Sequence, residues 1–289
     1  MYSVVGVFAS LTCALTWAFA SVILANLLQK TTTTPVAIGL IKAIIATPML
    51  LGAGLALGYG LPRMGDHLGA LVVSAVLGMV IADSAYMATL KRLGVARAVF
   101  VIPLVPFVTA LFAMVGLHET LAWPLVVGGV VTLTGVVLAV RTDGVSTAKV
   151  GAAGVVVAAA YVLSQAASNV VLKGVLADTQ ALHIATVRIA MGGCLFLPLT
   201  MREGGWRPLL TRPHFAALLI AVVIGTFAGM WLGTVGTQRL PVAVATTLAA
   251  TTPVWALVIS RLRGEALSSR SVVGAVLALL GVALMASTV

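Results

Sequence analysis

Acidic side chains are scarce in this sequence. Its 289 residues include seven Asp and Glu against 17 Lys and Arg, and charged residues make up only 8% of the total. Soluble domains carry about 25%, so a water-soluble enzyme is excluded by lack of solvating charge. Enzyme motifs are missing too. There is no H-E-x-x-H, G-x-S-x-G, Walker loop or paired acidic cluster, and His67, His118, His183 and His214 lack metal-ligand spacing. No cofactor, metal or catalytic residue is therefore expected. Aromatics are only 6%, which makes those set within apolar runs (Trp17, Tyr86, Tyr161 and Trp231) candidate cavity walls. The two cysteines, Cys13 and Cys194, fall inside apolar runs and read as buried free thiols. The N-terminus lacks the positive region of a signal peptide and reads as a first span.

What the chain has is apolar length: 61% of it is hydrophobic, with mean hydropathy +1.17. A spanning helix needs about 20 mostly apolar residues. Charges and Gly/Pro/polar clusters cut the chain into ten such segments, about 4–26, 35–58, 68–90, 97–116, 122–140, 150–172, 181–200, 213–236, 242–261 and 271–288. Several are charge-free and hydrophobic all round, the mark of a helix in lipid. The alternating ten-residue strands of a membrane barrel are absent. A net charge of +10 would suggest nucleic acid in a soluble chain. Here the cations sit at the ends of apolar runs, where they set membrane orientation, so no nucleic-acid partner is expected.

The two halves of the sequence repeat. Arg92 matches Arg239 and Pro106 matches Pro253 at an offset of 147; Glu119 matches Glu265, Gly128 matches Gly274, Gly135 matches Gly281 and Lys42 matches Arg188 at 146. The halves are 1–143 and 144–289. Five helices per half is odd, so the second half must be inverted relative to the first, an arrangement common in secondary transporters, whose substrate sits near the midplane between the repeats.

These residues carry a family resemblance. Pro106…Glu119-Thr-Leu…Gly128…Gly135 and Pro253…Glu265-Ala-Leu…Gly274…Gly281, with Trp17 and the Ala88-Thr-Leu-Lys91 stretch, resemble the EamA-type drug/metabolite transporter superfamily. The resemblance covers essentially the whole chain. It implies ten helices, a central cavity and transport of small organic metabolites or drugs. One departure is Lys42, where the second helix of such proteins often carries Arg.

The loops bear on orientation. The odd-numbered loops hold 12 Lys and Arg, including Lys30, Lys91, Arg92, Arg97, Arg141, Lys149 and Arg263; the even ones hold three, Arg63, Lys173 and Arg239. The positive-inside rule places odd loops in the cytoplasm and both termini outside. Ten-helix members of the resembled family usually have cytoplasmic termini, so the two readings oppose each other.

Three charges lie inside apolar segments: Lys42, Asp83 and Arg188. Each costs roughly 2.5–3.5 kcal/mol at the centre of an inserted helix and marks a functional site by default. Lys42 and Asp83 fall at similar depth, so they can pair, as a proton or substrate relay or as a structural bridge. The repeat position of Asp83 is read as Met230, which leaves Arg188 without an inherited acidic partner. Its planar fork suits a substrate carboxylate or phosphate; the alternative is that it snorkels or binds backbone carbonyls. Glu119 and Glu265 read as caps on the fifth and tenth helices. The paired glycines, and Gly225, Gly229 and Gly233, read as close-packing faces. Asn26, Gln165, Ser168 and Asn169 can bond a substrate or a neighbouring helix.

The reading is an all-α polytopic membrane protein of ten transmembrane helices in two inverted five-helix repeats. It moves a small polar or zwitterionic metabolite, such as an amino acid, or a drug across the plasma (inner) membrane by alternating access, with export the expected direction. The substrate-binding candidates are Arg188, Lys42, Asp83, Trp17, Tyr86, Tyr161, Gln165, Asn169 and Trp231. The partners are the substrate, the bilayer, and a coupling proton or exchanged substrate, with monomer and homodimer both open. A channel and an intramembrane enzyme are the alternatives.

Overall fold

Proline and threonine punctuate the helices. In the computed structural model Thr34 precedes Pro35, and its hydroxyl accepts from the Ala37 amide at 3.2 Å, a side-chain N-cap with proline where no donor is needed. The structure describes residues 3–62, 65–89, 102, 104–119, 123–140, 152–176, 179–262 and 269–286. Among them there is no strand. The helices are α1 (Val4–Lys30), α2 (Pro35–Ala56), α3 (Leu68–Thr89), α4 (Leu104–Gly116), α5 (Trp123–Val140), α6 (Ala152–Val175), α7 (Ala181–Glu203), α8 (Arg212–Arg239), α9 (Val242–Ala249), α10 (Thr252–Leu262) and α11 (Ser269–Ala286). Each of the ten expected segments holds helix. Seven described stretches are long and apolar enough to cross a membrane: α1, α2, α3, α6, α7, α8 and the run Val242–Ile259. Arg63, Lys91, Arg92, Arg97, Arg141, Lys149, Arg263 and Glu265 lie outside the described residues.

Three local features depart from uniform helices. The ninth segment is broken at Ala250–Thr251, because Pro253 has no N–H to give to the Ala249 carbonyl one turn before it and its ring crowds that carbonyl. The hydroxyls of Thr251 and Thr252 donate to the carbonyls of Leu248 and Ala249, both at 2.7 Å. Those bonds satisfy acceptors at the break. The third and eighth segments each contain a wider π-helical turn, at Val76–Ala82 and Val222–Ala228. The two turns lie 146 residues apart, so the offset in this stretch is 146. The repeat partner of Asp83 is then Gly229, one residue before the expected Met230.

Glycines show that equivalent helices run antiparallel. On α5 and α11, a Cβ at Gly135 would meet Gly274 and Ala278, and one at Gly281 would meet Gly128 and Thr132. Numbering therefore rises along one helix as it falls along the other. α2 and α7 do the same: Gly39 abuts Phe196, Gly193 abuts Ala43, and the Thr200 hydroxyl donates to the Val36 carbonyl at 3.4 Å. A two-fold axis relating antiparallel helices is perpendicular to them, as an inverted repeat requires. The halves also interleave, with α1 packed on α8, α9 and α10 and its counterpart α6 packed on α3 and α4. Outward faces are apolar; Trp123, Val115, Leu262 and Met201 are all more than three-quarters exposed. Such a surface suits lipid. Cys13 is buried as expected, whereas Cys194 lies on the exposed surface: its helix packs α2 through the neighbouring Gly193, which turns residue 194 outward.

Candidate substrate cavity

Small residues on α8 let α1 approach closely enough to seat the Trp17 indole in the wall of a cavity. A Cβ at Gly225 would collide with Ala20, one at Gly229 with Trp17, and one at Gly233 would lie 3.0 Å from the Cys13 sulfur. Trp17 donates from Nε1 to the Gly225 carbonyl at 3.1 Å, in the π turn of α8. The glycines therefore act in packing, as expected, and two of them, Gly225 and Gly233, also line that cavity. Gly229 is the counterpart of Asp83, and the indole fills the space that a side chain there would need. That is why the second repeat has no second acid.

The cavity occupies about 210 Å³ between the two halves. Of the expected site residues, Trp17, Lys42, Asp83, Tyr86, Tyr161, Gln165, Asn169 and Arg188 line it. Trp231 does not; it packs against the core and beside Phe227, with ring centroids 6.2 Å apart. Asn26 is exposed, two residues beyond Leu24, where the cavity lining of α1 ends. Ser168 is engaged in the wall, donating to the Ser74 carbonyl at 2.8 Å.

The three charges are arranged unequally. Lys42 donates from Nζ to Asp83 Oδ2 at 2.7 Å, the ion pair whose geometry the sequence allowed. Tyr86 lies one turn beyond Asp83 and faces Tyr161, with centroids 5.3 Å apart. Its hydroxyl is 3.4 Å from that of Ser21. Arg188 is only 4% exposed. Its Nη2 donates to the Ser168 hydroxyl at 3.0 Å, and its buried Nε has no hydrogen-bond partner among the described residues. Arg188 therefore does not snorkel. A Cβ on Gly78 would sit 2.8 Å from Nη2, so the π turn of α3 needs glycine where the guanidinium passes. Gln165 donates to Asn169 at 2.9 Å on the α6 side of the cavity.

Glu119 corrects an expectation. Its carboxylate caps α9, not the helix that follows it: Oε1 accepts from the Val242 amide at 3.2 Å. His118, in the left-handed region at φ 52°, turns the chain just before it. Local spacing pointed to the nearest helix end, but the inverted packing brings another end closer.

Comparison with known proteins matches this architecture. The sequence profile of the EamA-like transporter family matches residues 4–141 and again residues 152–287. The chain belongs to this family. As an EamA-like protein it is a multi-pass membrane protein of a family of transporters of small molecules, not of enzymes. No curated protein matches it. A solved structure titled only "Crystal structure of protein" is similar, with TM-score 0.82 and 18% identity over 98% of this chain and 96% of the other. That likeness concerns the fold. Within this EamA-like chain, sequence reasoning missed the wall threonines Thr226, Thr234, Thr237, Thr246 and Thr252. Their only signal was hydroxyls recurring within apolar runs.

Proposed function

We propose that this EamA-like transporter is an alternating-access carrier of a small zwitterionic metabolite, amino-acid-like, whose carboxylate is bound by Arg188. One observation carries the reading: a buried guanidinium borders the cavity with a hydroxyl, not an acid, as its hydrogen-bonded neighbour and with Nε unpartnered. Keeping a buried charge without an acidic partner is costly, and a bound carboxylate would accept the fork of donors. Asp83 with Tyr86 and Tyr161 supplies the complementary end, where a carboxylate beside aromatic faces suits an ammonium group. Gly78, beside Arg188, and Asp83 are five residues apart on one helix, roughly 7–8 Å along its axis. A cavity of about 210 Å³ is smaller than the about 300–1,000 Å³ of drug-sized sites, which favours a metabolite over a bulky drug. Export across the plasma membrane, coupled to a proton or to an exchanged solute, is the transport direction we assign.

The test is a thermal-stability screen of purified protein against the amino acids, their decarboxylated amines and their deaminated acids. Amino acids are expected to stabilise the protein most. Arg188→Gln should lose the response to every carboxylate and keep that to amines. Charged hydrogen bonds contribute about 1.5–3 kcal/mol, so the loss in affinity is expected to be about ten- to hundredfold. An Arg188→Gln protein that folds and responds as the wild type does would overturn the reading.

A further inference from the structure

The loop joining α8 to α9 is held by three side chains, two of them from elsewhere in the chain. Lys173, in the last turn of α6, donates from Nζ to the carbonyls of Thr237 at 2.8 Å, Leu240 at 2.7 Å and Gln238 at 3.4 Å. Gln238 donates from Nε2 to the carbonyls of Leu176 at 3.1 Å and Thr179 at 3.0 Å. Glu119 accepts from the Val242 amide and lies within electrostatic reach of Lys173. An ammonium thus sits on the C-terminal carbonyls of α8 and a carboxylate on the N-terminus of α9. Both signs are those the helix dipoles favour.

This cluster borders one end of the cavity. Leu172 and Thr237 line that end, and Ala245, Thr246 and Ala249 of α9 form the adjoining wall. α9 is a half-helix whose far end is the break at Ala250–Thr251, so it is pinned at one terminus and jointed at the other. The counterpart helix α1 also carries a lysine in its last turn, Lys30, but there the side chain is exposed.

We propose that Lys173, Glu119 and Gln238 form a latch that holds α9 closed across this end of the cavity, and that access from this face requires the latch to open. They act as positioning residues through α9 and do not touch the substrate. The proposal rests on the carrier reading of the cavity, but its test needs no substrate. Cys13 lines the cavity and is buried, so it serves as a native reporter, and Cys194→Ala removes the other thiol. A membrane-impermeant methanethiosulfonate is applied to each face of the membrane in turn. Leu61→Cys, in the exposed loop after α2 and placed in a protein lacking both native thiols, marks the face that carries the latch.

Lys173→Met and Glu119→Gln are each expected to raise Cys13 labelling from the latch face by at least about tenfold, as loss of charged hydrogen bonds implies. Labelling from the opposite face should not rise. Lys173→Arg, which keeps the charge and donors, should label as slowly as the parent. Unchanged rates in folded variants, or an equal rise on both faces, overturn the latch. Should those variants fail to fold, Gln238→Leu removes two bonds and should give a smaller one-sided rise; an unchanged rate there also overturns it. Faster Cys13 labelling in a protein that shows no counterflow would refute the carrier reading and leave the latch. Unaltered labelling with intact counterflow would refute the latch alone.

Discussion

Two cations 146 residues apart, Lys42 and Arg188, have different surroundings because of one residue on each half's third helix. Asp83 pairs with Lys42 at 2.7 Å, whereas its counterpart Gly229 gives way to Trp17. All three charged positions were legible in the sequence, since a charge in an apolar run has few structural uses. Ser168 was legible as a polar residue able to bond a neighbouring helix, but its pairing with Arg188 was not, because the two are 20 residues apart on different helices. The pair makes a separable prediction. Lys42→Met leaves a buried carboxylate without its cation and should lower the unfolding midpoint by roughly 5 °C, discounted for the partial exposure of both side chains. The neutral pair Lys42→Met with Asp83→Asn should recover most of that loss while remaining deficient in amine binding. Thermal unfolding in detergent checks the first outcome and the amine arm of the stability screen checks the second. A double variant as unstable as the single one would mean that the charge imbalance is not the cause.

At the scale of the helices, apolar length and proline placement located each segment, and the repeat located its partner. What could not be read was anything set by contact between segments. The π turns at Val76–Ala82 and Val222–Ala228 leave no composition signal, yet they set the phase that presents Gly78 to Arg188 and the Gly225 carbonyl to Trp17. Glu119 was recognisable as a cap, but which helix it caps depends on the other half of the molecule. The glycine face of α5 and α11 was legible from its spacing, and it yields a direct prediction. A Cβ at Gly135 meets the backbone of Gly274 and Ala278, which cannot move aside as a flexible side chain would. Gly135→Leu should therefore separate the two helices and abolish the monodisperse peak in size-exclusion chromatography. Leucine at Gly129, whose Cβ position meets nothing within 4 Å, should be tolerated.

For the whole molecule, scarcity of charge first excluded a soluble protein, and the fold shows what the remaining charges do: some lie at loop ends, three line the cavity and two hold α8 and α9 together. The loop cations make a prediction about orientation. With 12 in odd loops and three in even ones, the positive-inside rule predicts that a reporter fused after Val289 which is active only outside the cytoplasm gives signal, while one active only in the cytoplasm stays silent. The opposite pattern would place the termini inside and leave the site unchanged. A carrier must bind its substrate in two alternately accessible states, and a ligand shifts that equilibrium only by differential affinity. The most direct test of this account is counterflow of the labelled amino acid that stabilises the protein most, measured in liposomes loaded with each unlabelled candidate. The account predicts a transient overshoot in wild-type vesicles driven by unlabelled amino acid, and none in Arg188→Gln vesicles. Uptake without overshoot, or an overshoot undiminished in folded Arg188→Gln protein, would contradict it.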